Sequence, residues 1–300
     1  MRHRKGKGLI IVLAAVLGMA VLSGCGNAAA PSQTTDDQAS AAVQESASEQ
    51  GSAVEQEVTE ASQEYVGIIS AMANEVDLLL SEAEIDHVDT FGGVDFHVGT
   101  LHGQPVVIAQ AGIGKVLASA GLTAMLNNYP ISDVIFTGIA GGVGDETEVL
   151  DEVIATRLVQ HDYGNMTNDG FEWTDSVVGE EVGEDGYFYS NEALVDAAYD
   201  AAVSVMGEEH VFTGTIASGD QFVASEEYVE TLQEEFDAIA CEMEGASIAA
   251  VCTQYDTPFV VIRTMSDKAD GNAHETIDNM GDLAADQSSQ IVIEMLENGI

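Results

Sequence analysis

The chain has 300 residues, 52 of them Asp or Glu against 8 Lys or Arg, for a formal net charge of −44 at pH 7. A surface this acidic repels phosphate backbones and excludes nucleic acid as a partner. Three cysteines and seven scattered histidines, with no C-x-x-C, H-E-x-x-H or EF-hand spacing, give no metal site to build on.

In chain order, Met1 to Gly24 reads as a targeting leader. Arg2, Arg4, Lys5 and Lys7 form a basic start, and Leu9 to Val21 is apolar but shorter than the ~20 residues of a spanning helix. The run ends in Leu22-Ser23-Gly24-Cys25, which resembles the lipobox of bacterial lipoproteins. That resemblance implies cleavage before Cys25, lipidation of its sulfur, and a lipid-anchored protein facing outward from the cell membrane. Residues 25–63, rich in Ala, Ser, Gln, Thr and Glu with Pro31 and no aromatic side chain, bury too little apolar surface to order themselves and read as a disordered tether. Residues 64–300 are long enough for one sizeable domain.

Within that domain strands and helices alternate. Tyr65 to Ser70 predicts a buried strand, and Met72, Val76, Leu79 and Leu80 predict a helix over Ala71 to Glu82. Val88 to Gln110 holds two or three strands broken at Gly92-Gly93 and His102-Gly103. A helix follows over Val116 to Tyr129, stopped by Pro130, then strands over Val134 to Ile139 and Val149 to His161. Asp162 to Ser190, glycine-rich and acidic with the single Trp173, is expected as a long loop or hairpin over the site. Beyond it come a helix capped by Asn191, a strand from Val211 to Ser218, a helix from Glu226 to Phe236 and a short strand from Ile239 to Glu242. A helix from Glu244 to Tyr255, a strand from Phe259 to Met265 and a closing helix from Leu283 to Leu296 complete the domain. Cys241 and Cys252 sit in apolar surroundings and read as core thiols. This order predicts an α/β fold, a three-layer α/β/α sandwich with a mixed central sheet.

Ligands in such sheets bind outside the carboxyl ends of the strands, and here those ends are polar or glycine-rich. The first strand leads to Ala71-Met72-Ala73-Asn74-Glu75. Later exits carry Gly112-Ile113-Gly114-Lys115, Thr137-Gly138-Ile139-Ala140-Gly141-Gly142, Ser218-Gly219-Asp220-Gln221-Phe222 and Glu242-Met243-Glu244. The last buried strand runs from Arg263 into Ser266-Asp267. A first-turn Glu commonly serves the helix dipole and a glycine cluster commonly makes a turn, so the weight lies in these exits occurring together.

The wording and order of these fragments resemble the purine nucleoside phosphorylase-like superfamily and, within it, the 5'-methylthioadenosine/S-adenosylhomocysteine nucleosidases, over about Tyr65 to Glu297. The resemblance implies a nucleoside phosphorylase-like fold, a nucleoside substrate, no cofactor and a homodimer. It implies that Asp267, positioned by Ser266, is the acid at N7 of adenine and that Glu75 activates the attacking water. Glu244, with Met243 beside it, would hold the ribose hydroxyls. Phe222 would stack on the base, Val223 would read its edge, and Met72 and Ile113 would line the 5' end. Ile139 in the T-G-x-A-G-G run departs harmlessly from the family wording, whereas residues 162–190 follow none of it.

Breaking the C1'–N9 bond builds oxocarbenium character on the sugar and negative charge on the departing base. An acid on one side and a base with water on the other meet that demand, as paired carboxyls do in glycosidases. Phosphorolysis would instead want arginines or a helix N-terminus for phosphate. Beyond residue 24 only Lys115, Arg157, Arg263 and Lys268 are basic. A transport receptor that merely binds nucleosides would need stacking residues but no acid and water pair.

Removal of the leader takes four of the eight basic residues and none of the 52 acidic ones, leaving 4 against 52, or −48. Self-repulsion on that scale is screened as the Debye length falls from ~30 Å at 0.01 M to ~3 Å at 1 M salt. The melting temperature is therefore expected to climb with sodium chloride over that range, and a flat response in thermal scans would contradict this reading.

Overall fold

The structure, a computed structural model, describes residues 63–175 and 185–300. The expected leader, Cys25 and the tether up to residue 62 lie outside these residues. The described strands are β1 (Tyr65–Ser70), β2 (Glu84–Phe91), β3 (Val94–Leu101), β4 (Gln104–Gln110), β5 (Ile131–Gly142), β6 (Glu152–Gln160), β7 (Gly164–Thr167), β8 (Gly170–Trp173), β9 (Phe188–Tyr189), β10 (Val211–Ser218), β11 (Ala238–Glu242) and β12 (Phe259–Asp267). The helices are α1 (Asp77–Glu82), α2 (Lys115–Asn128), α3 (Glu192–Met206), α4 (Glu226–Phe236), α5 (Gly245–Tyr255) and α6 (Ala273–Asn298).

The sheet runs β11-β10-β6-β12-β5-β1-β4-β3-β2, with β9 beside β6. Its centre is parallel, from β12 through β5 and β1 to β4, whereas β12 meets β6 antiparallel and β2–β4 form an antiparallel meander. The central strands are apolar on both sides because both faces are covered. Neighbouring residues point to opposite layers: Ile69, Phe136 and Val261 pack under α2 and α5, while Ile68, Ile135 and Ile262 pack under α1, α3 and α6. The result is the α/β/α sandwich expected from the sequence, with Cys241 and Cys252 buried and free. Asn191 caps α3 by accepting the Leu194 N–H at 3.2 Å.

At the carboxyl end three strands converge. Gly141 and Gly142 of β5 turn to pair antiparallel with Cys241 and Ala240 of β11, while Asp267 of β12 pairs Gly141 across an irregularity after Met265. A bulge re-aims a side chain where a ladder ends, and here it delivers Ser266 and Asp267 to the space above β5 and β11.

Three elements differ from the sequence reading. The stretch Ala71 to Glu82 is not one helix: a 3₁₀ turn over Ala73–Glu75 precedes the short α1, because the Glu75 carboxylate folds back onto the backbone of residues 71 and 72. The closing helix begins at Ala273 instead of Leu283, and β12 runs on to Asp267. Residues 162–190 contain the small hairpin β7–β8, and its Trp173 packs edge-on against Phe236 of α4 at 5.4 Å and donates to Gln160 O.

Helix α2 lies close on β1 and β4 through glycine. A Cβ on buried Gly121 would sit 2.7 Å from the Ala111 Cβ and 3.3 Å from its Cα. Alanine is the better helix former by ~1 kcal/mol, but overpacking a dense core costs ~1–3 kcal/mol. Gly121→Ala is thus expected to lower the urea midpoint; an unchanged or raised midpoint would show that α2 can move off the sheet freely.

Candidate active site

The 3₁₀ turn after β1 is shaped around Glu75. Its Oε2 accepts the N–H groups of Ala71 (3.0 Å) and Met72 (2.7 Å), and its Oε1 accepts that of Ile139 (3.0 Å) on β5. Ser289 of α6 donates to the Glu75 carbonyl at 2.9 Å, which pins the turn from the other side. Burial raises the proton affinity of Glu75 above the ordinary carboxylate range, opposed by the charge of Arg263 and by those three N–H donors. Only glycine fits at 138, where a Cβ would lie 2.4 Å from Glu75 Oε1.

At the end of β12, Asp267 Oδ2 accepts the Ser266 hydroxyl at 2.8 Å and Oδ1 accepts the Ala269 N–H at 2.7 Å. Desolvation raises its pKa, with Asp270 pushing the same way, while these hydrogen bonds and His274 pull it down. A Cβ on Gly141 would lie 3.0 Å from Asp267 Oδ1. Both acidic groups therefore rest against β5, one at Gly138 and the other at Gly141.

Between them the turn after β11 is held by charge. Arg263 donates to Glu242 Oε2 at 2.8 Å, its guanidinium 4.1 Å from the Phe136 ring centroid, and both side chains are buried. Glu242 also receives the N–H groups of Glu244 and Gly245 and the Ser218 hydroxyl, which in turn accepts the Ala246 N–H. This network fixes the entry to α5 and points Glu244 into the cavity, where its Oε1 accepts the Gly114 N–H at 2.7 Å. Burial first, and the neighbouring Glu242 second, push Glu244 up to about 8. On the flank, Glu152 is held by Thr264 at 2.5 Å and pushed up to about 8 by desolvation, but it faces the strand layer and not the cavity.

A cavity of about 220 Å³ opens above these groups. All nine domain residues singled out in the sequence line it: Met72, Glu75, Ile113, Phe222, Val223, Met243, Glu244, Ser266 and Asp267. Glu75 and Asp267 thus share one space. Sequence reading missed Gln221, Cys241 and Ile277, which also line it. Ile277 had no signal because α6 was expected to begin later. Glu242 stood in the quoted E-M-E motif, and a mid-strand arginine in an apolar run was the sign that a buried carboxylate must face it. Of residues 162–190, expected over the site, none that is described lines the cavity, since Trp173 and Tyr187 are drawn instead into an apolar cluster with Phe236; residues 176–184 lie outside the described residues.

The cavity is lined by no basic side chain. Each of the four cations beyond the leader has a partner elsewhere: Lys115 pairs with Asp162 at 2.5 Å, Arg157 with Asp237 at 3.3 Å, Arg263 with Glu242, and Lys268 with the carbonyls of Gly144 and Thr147.

Residues 65–297 match the Phosphorylase superfamily. The 5'-methylthioadenosine/S-adenosylhomocysteine nucleosidase of Shewanella sediminis is 39% identical over 233 residues, which span 77% of this chain and 98% of that protein. Among solved structures, the nucleosidase of that name from Neisseria meningitidis in complex with methylthio-immucillin-A superposes with a TM-score of 0.70 at 36% identity, over 78% of this chain and 99% of that one. The futalosine hydrolase of Helicobacter pylori superposes equally well, TM-score 0.70 at 32% identity, over 79% and 98%. The chain belongs to the phosphorylase superfamily and, within it, to the 5'-methylthioadenosine/S-adenosylhomocysteine nucleosidases.

Proposed function

We propose that the protein is an N-glycosyl hydrolase that cleaves 5'-methylthioadenosine, S-adenosylhomocysteine and related 5'-modified adenosines to adenine and the 5'-substituted ribose. The observation that carries this reading is the pair of buried carboxyls, Glu75 and Asp267, lining one cavity. The C1'–N9 bond breaks as Asp267 gives its proton to N7, so the base leaves neutral. Water adds to C1' and yields its proton to Glu75. Burial raises the proton affinity of both carboxyls; three N–H donors and the charge of Arg263 oppose that rise at Glu75, whereas Asp267 is opposed by one N–H, one hydroxyl and His274 and is pushed further up by Asp270.

Glu244 holds the ribose hydroxyls with Met243 beside it, Phe222 stacks on the purine and Val223 meets its edge. Met72 and Ile113, joined by Ile277, give the 5' substituent an apolar wall. The commitment of all four cations elsewhere favours water over phosphate as the nucleophile.

Asp267→Asn keeps the size and the hydrogen-bonding oxygen but cannot deliver the proton, and Glu75→Gln cannot accept one. Each is expected to cut kcat by ~10² to 10⁴ while substrate-analogue affinity stays within a few-fold. Because the Asp267 pKa is raised, the wild-type rate is present below that pKa and lost as pH rises through it. Adenine release by Asp267→Asn at the wild-type rate would remove the assignment.

We infer further that the enzyme is tethered to the outer face of the membrane through lipidated Cys25 and acts as a homodimer. The Leu22-Ser23-Gly24-Cys25 motif supports the first part. The exposed apolar side chains of Ile113, Val116 and Leu117 around the start of α2 support the second. Cys25→Ala is expected to move the protein from the membrane fraction to the aqueous one, where it sediments as a dimer; a variant still membrane-bound, or a monomer, contradicts the corresponding part.

A further inference from the structure

Phe222 stands on the loop after β10 with 41% of its surface exposed, an unusual setting for a ring whose orientation matters. Its ring centroid lies 4.5 Å from that of His274, at an interplanar angle of 25°. His274 is the second residue of α6, and Ile277, one turn further along the same helix, lines the cavity. Phe222 lines the cavity too, but His274 does not. The imidazole therefore covers the ring face turned away from the cavity and leaves the inner face to a ligand.

We propose that His274 is a positioning residue for the base: it backs Phe222 so that a bound purine, the phenyl ring and the imidazole form one three-layer stack. This inference rests on the proposed role of Phe222 and adds a residue that contacts no substrate. An exposed phenylalanine on a loop samples several rotamers, and only one presents its face to the base. A ring stacked behind it selects that rotamer before the ligand arrives, which removes an ordering cost from binding. The start of α6 is in turn fixed by the Ala273 N–H to Asp270 O bond (3.0 Å) and by buried Ala273. The stack thereby ties the loop after β10 to the chain leaving Asp267, so base and acid are held in register.

The test compares the intact enzyme with His274→Ala and His274→Phe, reading adenine affinity by calorimetry and kcat and KM for 5'-methylthioadenosine. Offset-stacked rings contribute enough that their loss is expected to weaken adenine binding and raise KM about five-fold. Because His274 is argued to act through Phe222, the loss is read in adenine affinity and KM, and the melting temperature should stay near wild type. His274→Phe restores an aromatic ring and should return both constants to within about two-fold. Wild-type-like adenine binding by His274→Ala, or a His274→Phe as weak as His274→Ala, overturns the proposal while leaving the nucleosidase reading intact. A wild-type enzyme that neither binds adenine nor releases it from the nucleoside overturns both.

Discussion

One buried guanidinium holds the site together. Arg263 is 1% exposed, in the middle of the central strand β12, and its charge bears on Glu75, Glu152 and Glu244 while it pairs directly with Glu242. Ion pairs sealed from water rarely stabilise a fold relative to apolar packing, and loss of one partner leaves an uncompensated charge that costs several kcal/mol. The pair is therefore better understood through what it arranges. It fixes the turn after β11, aims Glu244 into the cavity, and supplies the one positive charge near a base that must remain ionised in a dry space. In a chain with 52 acidic residues and 8 basic ones, the placement of each cation decides where carboxylates can be packed together.

The two reacting carboxyls reach their places by different means. Glu75 is caged by three backbone N–H groups, two from its own turn and one from β5, so its ionised form is solvated by the main chain. Asp267 has one N–H and one hydroxyl, and like-charged Asp270 nearby makes its proton harder to remove. Both contacts with β5 occur at glycines, Gly138 and Gly141, because a side chain at either would take the carboxylate's place. The T-G-x-A-G-G run is thus a strand stripped of side chains where the acid and the base approach it.

Much of this was legible in the residues because the sheet is buried on both faces: uninterrupted apolar runs such as Phe259 to Ile262 can only be central strands, and the polar residues ending them can only lie at the carboxyl edge. What stayed hidden depended on contacts between distant segments. The Met72, Val76 and Leu79 spacing suits a helix, but the demand of Glu75 for the N–H groups of residues 71 and 72 bends the chain first. The first three turns of α6 carry Ala273, Ile277 and Gly281 toward the site in place of the long aliphatic residues that mark a core face, so the apolar rhythm becomes visible only at Leu283. The hairpin in 162–190 was recognisable by its glycines, but its direction was set by Trp173 docking on Phe236, which no local pattern announces. The Phe222–His274 stack likewise joins the loop after β10 to the first turn of α6, which share no rhythm.

The central claim is that Glu75 and Asp267 act on one glycosidic bond with water as the nucleophile. The most direct measurement is turnover of 5'-methylthioadenosine in ¹⁸O-labelled water, with and without inorganic phosphate, followed by mass analysis of both products. The account predicts free adenine, label on C1 of the released sugar and a rate indifferent to phosphate. A sugar 1-phosphate, or adenine release only when phosphate is present, would contradict it.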